Sequence, residues 1–180
     1  MNTIKKHQNN VISTLALLDI DEINKAVSLL RKVREANGTV WLAGNGGSAA
    51  TAEHFANDLL KMGGIRAIAL PAMTPTATAY GNDNGWENMY KHMMLGLTDG
   101  DESNDALVAI SCSGNSPNVV ELSRWWIDNL IVLTGDKRKN NLLANISLES
   151  INIHVESGDI TVQEDVHMVI CHSIVNALRE

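Results

Sequence analysis

The sequence predicts an α/β fold: a parallel sheet of five strands with helices on both faces, preceded by a helical segment at the N-terminus. Two observations predict it. From residue 39 onward, short apolar runs alternate with longer helical stretches, the pattern of successive βαβ units. Before that, residues 9 to 36 carry apolar side chains every three to four positions. The chain reads as one domain, 1–180, with 1–37 the helical segment and 38–180 the αβα core. No repeat, low-complexity stretch or linker divides it.

Taken in order, Val11, Leu15, Leu18, Ile23, Val27, Leu30 and Val33 form the first apolar stripe. Asp19 or Asp21 is placed to break it into two helices, and Asn37-Gly38 supplies a stop. Thr39 to Ala43 is a first strand ending at a glycine, and Ser48 to Met62 a helix. Ile65 to Leu70 is apolar again, and Asn84 to Leu97 reads as helical. Asp105 to Ser111 is a buried strand, followed by a turn and a helix near Pro117 to Trp126. Leu130 to Thr134 and Ile151 to Val155 complete the strands, and Thr161 to Leu178 closes as a helix. In such sheets ligands bind where loops gather at the C-terminal strand ends.

Composition narrows the classes. A chain of 180 residues, 44% hydrophobic and 19% charged, is long and apolar enough for a sizeable core and excludes disorder. Its 14 Lys and Arg against 21 Asp and Glu give a net charge of −7, which excludes a broad nucleic-acid surface. A single phosphate remains possible, because a few backbone N–H groups can hold one. The opening, Met1 to Asn10, is polar and carries no secretion signal, and runs such as Asn129 to Leu133 are too short to span a membrane. Two cysteines, Cys112 and Cys171, suggest no disulfide framework. The expected setting is cytoplasmic.

Four features carry chemistry. Gly44-Asn45-Gly46-Gly47-Ser48 lies between a strand and a helix. Its glycines let the backbone approach a ligand, and the helix start offers free N–H groups to an anion. Ser48 can cap that helix or reach a phosphate; a plain tight turn is the ordinary alternative. No Gly-Lys-Ser/Thr follows and the G-x-G-x-x-G spacing is lacking, so no nucleotide cofactor is expected. The second feature, Ser111-Cys112-Ser113-Gly114-Asn115-Ser116-Pro117-Asn118, again joins strand to helix, with Ser116 suited to the cap and Pro117 to the first helical position. Two hydroxyl-rich loops at successive strand ends point to a shared phosphate pocket.

The third feature is His54 and Asp58, spaced i and i+4 on one helix face, where a base or metal ligand could sit; a surface ion pair is the commoner explanation. The fourth is the stripe Glu164, His167, Cys171 and His172 on the closing helix. A solvated face accounts for His167, whereas His172 is expected deeper in the apolar segment.

These motifs carry a specific resemblance. Gly44-Asn45-Gly46-Gly47-Ser48 followed by Ala52-Glu53-His54-Phe55-Ala56, together with Ile110-Ser111-Cys112-Ser113-Gly114-Asn115-Ser116, resembles the sugar-isomerase (SIS) family and, within it, the bacterial phosphoheptose isomerases. Tyr80-Gly81-Asn82-Asp83 resembles the family's intervening loop. The similarity runs from about residue 39 to 176. It implies a flavodoxin-like three-layer αβα fold, a homotetramer with sites built across subunits, and isomerisation of sedoheptulose 7-phosphate through an enediol.

Ser48, Ser111, Ser113 and Ser116 match the family's phosphate positions; Asn45, Gly46, Gly47, Cys112 and Asp83 join them as the candidate substrate-binding set. Asp58 and His172 match the catalytic pair. His54, Asp58, Glu164 and His172 match a set that suits one divalent metal, such as zinc, per subunit. Two positions depart from the family: Asp58 stands where a glutamate is usual, shortening the arm by roughly 1.5 Å, and Glu164 where a glutamine is usual. The expected activity is therefore a phosphosugar aldose–ketose isomerase. The alternatives are a non-catalytic phosphosugar sensor or assembly partner of the same fold, and an isomerase of a smaller sugar phosphate.

Overall fold

A computed structural model of the chain describes residues 2–126, 128–135 and 141–180. Helix α1 (Thr3–Leu15) and helix α2 (Ile20–Glu35) are separate because Asp19 caps the second: its carboxylate accepts the Asp21 and Glu22 N–H groups. Asn37 takes the left-handed conformation at φ 55°, and the Gly38 N–H returns to the Val33 carbonyl at 2.8 Å, ending α2 where the sequence places the stop.

There follow β1 (Thr39–Ala43), α3 (Gly47–Lys61), β2 (Arg66–Ala69), α4 (Thr74–Asn84), α5 (Met89–Leu97), β3 (Ala106–Ser111), α6 (Pro117–Trp125), β4 (Leu130–Gly135), β5 (Ile151–Val155) and α7 (Ile160–Leu178). The strands are all parallel, in the order β2-β1-β3-β4-β5. The order reverses between β1 and β3. This is the switch point, where the two loops leave a crevice at the C-terminal strand ends.

Period-two alternation divides the core between the two sheet faces. Val40 and Leu42 of β1 join Val108 and Ile110 of β3 under α2, α3 and α7. Trp41, Ala43, Leu107 and Ala109 face α4, α5 and α6. Every residue of β3 and β4 is buried, as expected for central parallel strands. Each large side chain so buried contributes about 1.5–3 kcal/mol. Asp105 ties the start of β3 to β1 by accepting the Thr39 N–H at 2.7 Å and the Trp41 indole N–H at 2.8 Å.

One element departs from the expectation. Tyr80-Gly81-Asn82-Asp83, read as part of a loop, lies on α4, and the helix expected from Asn84 begins at Met89 after a short 3-10 turn. Helix α4 is rich in Thr, Gly and Asn, all weak helix formers, and only its Ala77 is buried. Packing and Pro75 in its first turn hold it, not intrinsic propensity. No described helix is long and apolar enough to cross a membrane.

Candidate active site

The first loop enters α3 through Gly46, at φ 54°, in the N-cap position with no side-chain cap. A side chain would be strained there, and its absence leaves the first amides of the helix uncapped. Ser48 is therefore a first-turn residue and not the cap that its position suggests; it is buried, and its hydroxyl bonds the Cys112 thiol. At the second loop Ser116 does occupy the N-cap of α6, but its hydroxyl lies 3.1 Å from that of Ser111 and makes no capping bond. Neither N-cap residue closes its helix with a side-chain bond, and both helix starts carry partial positive charge beside neighbouring hydroxyls. Ser113 is half-buried, and its hydroxyl accepts the Asn115 N–H.

His54, Asp58 and His172 converge. The Asp58 Oδ2 atom lies 3.3 Å from His54 Nε2 and 3.7 Å from His172 Nε2, and the two imidazole nitrogens are 3.1 Å apart. The other carboxylate oxygen of Asp58 accepts from Asn57 at 3.0 Å. Asp58 is buried, while both histidines are exposed. Helices α3 and α7 of one chain supply all three groups, so this set needs no subunit boundary to form.

The donor spacing fits a metal. A tetrahedral ion with bonds of ~2.0–2.1 Å sets its ligand atoms about 3.3–3.4 Å apart, and the three distances bracket that value. Two imidazoles and a carboxylate are also a donor set that zinc accepts. Glu164 does not join them. It packs against Gly47, where any Cβ would collide with its carboxylate, and its charge is felt by Cys112.

Other candidates fall elsewhere. Asp83 is exposed on α4, and its carboxylate accepts from Asn82 at 2.8 Å. Near it, Gly81 and Ala77 line a cavity of about 430 Å³ shared with Gly44, Asn45, Gly46 and Tyr90. Cys112 turns its thiol inward, 3.9 Å from His167 Nδ1. Burial pushes that thiol up to about 11, with the Glu164 charge adding and the Ser48 bond opposing, so it stays protonated.

The two histidines of α7 exchange the environments expected of them: His167 is 1% exposed, whereas His172 is open to solvent. Burial lowers His167 to about 4, the nearby His154 adds to this, and the bond to the Thr134 carbonyl opposes it. A carbonyl only accepts, so His167 Nε2 carries the proton, at 3.2 Å from Thr134 O, and its Nδ1 lone pair faces the thiol.

Two further residues acquire roles that sequence reasoning did not give them. The buried Tyr90 hydroxyl donates to the Gly44 carbonyl at 2.7 Å, and burial, helped by the Glu53 charge, raises that phenol to about 12. Asn118 exchanges amide hydrogen bonds with Asn45. The signal for Tyr90 was a polar tip on the buried face that it shares with Met89, Met93 and Met94. A larger surface hollow, about 940 Å³, lies at the other end of the strands, between α2 and the starts of β4 and β5. Converging donors, not volume, locate the chemistry.

Comparison with known proteins agrees with this fold. The family model described as SIS domain matches residues 5–124. A phosphoheptose isomerase of Campylobacter jejuni is 34% identical over 164 residues, covering 88% of this chain and 86% of the relative. The solved phosphoheptose isomerase of Neisseria gonorrhoeae superposes with a TM-score of 0.85 at 26% identity, covering 97% of this chain and 94% of that one. That of Francisella tularensis gives 0.84 at 28% identity, covering 98% and 94%.

Proposed function

Because the chain belongs to the SIS domain family, among relatives named phosphoheptose isomerase, we propose that it interconverts the aldose and ketose forms of a phosphosugar, with sedoheptulose 7-phosphate the substrate and the cytoplasm the setting. The observation that carries the reading is the convergence of His172, on α7, with Asp58, which lies on the same helix whose first turn holds Ser48.

The division of labour follows from the elements. The hydroxyls of Ser48, Ser111, Ser113 and Ser116, with the N-termini of α3 and α6, anchor the phosphate. His54 follows Ser48 by six residues, about 9 Å of helix rise. That is on the order of the length of an extended heptose phosphate built from C–C bonds of ~1.5 Å, so the carbonyl end can reach the three-residue centre.

Isomerisation moves a proton between adjacent carbons through an enediol. It needs a base for C–H and an acid for the carbonyl oxygen. Asp58 and His172, 3.7 Å apart, supply the two functions between them. The shortened arm of Asp58 still reaches both imidazoles. His54, Asp58 and His172 would hold one zinc ion, which when bound polarises a carbonyl oxygen as a Lewis acid. The substrate-binding set extends to Gly46, Gly47, Asp83 and Cys112, while the Asn45 side chain, paired with Asn118, serves the loop that carries the two glycines. In this reading Glu164 approaches the metal only by leaving its place against Gly47. The assembly is a homotetramer.

The test is turnover. Purified protein incubated with sedoheptulose 7-phosphate should yield the aldose isomer by NMR. Absence of conversion across a panel of sugar phosphates would leave the non-catalytic sensor or assembly partner as the reading.

A further inference from the structure

We infer that Asn118 is a positioning residue for the phosphate pocket: it holds Asn45, and with it the first loop, at a fixed distance from the second. The inference rests on the reading of the two serine loops as a phosphate site.

Asn118 is fully buried in the first turn of α6. Its Nδ2 donates to Asn45 Oδ1 at 3.0 Å, and Asn45 Nδ2 donates to Asn118 Oδ1 at 2.8 Å. The orientation of the pair is fixed by a third bond. The Val119 N–H can only donate, and it gives its proton to Asn118 Oδ1 at 3.0 Å. That atom is therefore the oxygen, and Asn45 must turn its NH₂ toward it.

Both polar ends of the Asn45 side chain are thus engaged by Asn118, so Asn45 holds the loop instead of reaching for substrate. One residue earlier, the Gly44 carbonyl is taken from another element by Tyr90. The first loop is consequently fixed at two successive residues, one bond coming from α5 and the amide pair from α6.

What the pair keeps in register is the pocket itself. Ser48 and the start of α3 lie on one side of the switch point; the Ser111 and Ser116 hydroxyls and the start of α6 lie on the other. Hydrogen bonds to one anion tolerate only a few tenths of an ångström before they weaken, so the spacing of the two loops sets how many donors engage it together. A buried amide pair is a rigid spacer for that purpose, because breaking it leaves buried polar atoms unpaired.

A double-mutant cycle on the full chain tests this, using Asn45→Ala, Asn118→Ala, both together, and Ser116→Ala as reference. Calorimetry gives the Kd for inorganic phosphate, and assays give KM and kcat for the sugar phosphate. Asn118→Ala should weaken phosphate binding about tenfold and raise KM more than it lowers kcat. Asn45→Ala should do the same, and the double variant should be no worse than either single one.

Additive losses would mean that Asn45 meets the ligand independently, and would overturn the inference. So would an Asn118→Ala protein with lowered Tm and unchanged phosphate affinity. If Ser116→Ala loses affinity while Asn118→Ala does not, the spacer falls and the phosphate pocket stands. If the parent binds no phosphate, both fall. Should Asn118→Ala not fold, Asn118→Ser, which keeps an acceptor near the Val119 N–H, takes its place in the cycle.

Discussion

His54 and His172 stand 118 residues apart in the chain and 3.1 Å apart at their Nε2 atoms. Two neutral imidazoles at that distance need either a proton shared between them or a cation that both lone pairs face. With Asp58 Oδ2 within 3.7 Å of each, the arrangement favours a cation.

Protein purified without chelator is expected to carry about one zinc per chain by elemental analysis, and a chelator should lower its Tm, since a ligand bound only to the folded state stabilises it. His172→Gln and His54→Ala should each reduce the metal content. A parent free of metal, with a Tm indifferent to added zinc, would remove the metal from the site.

Asp58→Asn keeps the shape of the side chain and removes its negative charge. Turnover should fall by about 10²–10⁴-fold with folding intact by circular dichroism. Asp58→Glu lengthens the arm. A gain on sedoheptulose 7-phosphate would mean that Asp58 tunes the site to another phosphosugar. Unchanged turnover in Asp58→Asn would take Asp58 out of the proton chemistry.

His167 makes stability depend on acid. Its folded pKa of about 4 lies below the ordinary histidine value of 6.5, so between the two the unfolded chain binds a proton that the folded chain does not. This contribution is full above pH 6.5 and is lost as the pH falls toward 4, by on the order of 3 kcal/mol. Urea melts of the parent and His167→Gln across that window should show a shallower acid slope in the variant. Equal slopes would mean that His167 is not held neutral.

Ile4 and Ile12 of α1, with Leu17 and Ile20 after it, are exposed apolar side chains on the segment that precedes the sheet. A closed tetramer would cover them. Light scattering should give four times the chain mass of 19.6 kDa. A monomer at micromolar concentration, with Ile12→Asp leaving the mass unchanged, would refute the assembly.

The five strands were legible because each is a short apolar run bounded by glycine or polar residues, and Asp19 was legible as a break because Asp is a common helix cap. Both serine loops were legible because strand, glycine-rich turn and helix follow one another without a gap. Helix α4 was not, since its eleven residues carry no apolar stripe.

The histidines of α7 were misplaced for a reason that the spacing contained. Gln163, His167, Ile170 and Ile174 recur every three to four residues on the buried face, whereas His172 falls midway between Ile170 and Ile174 and so turns outward. The position of Glu164 depends on the close approach of α3 and α7 at Gly47, and the amide pair of Asn45 and Asn118 on the neighbouring of β1 and β3. Neither is a property of any local window of sequence.

The wide separation of the groups in the centre also bears on the order of folding. Closing a loop of 118 residues costs more chain entropy than forming any helix-local contact, so the meeting of His54 with His172 follows the docking of α7 onto α3 instead of guiding it. Helix α3 alone already holds His54 and Asp58 one turn apart, a bidentate arrangement available early. The third donor arrives only when the sheet and its covering helices are in place. Occupancy of the full three-donor centre would therefore serve as a late clock for folding, and a refolding experiment that follows it should lag behind the recovery of helical signal.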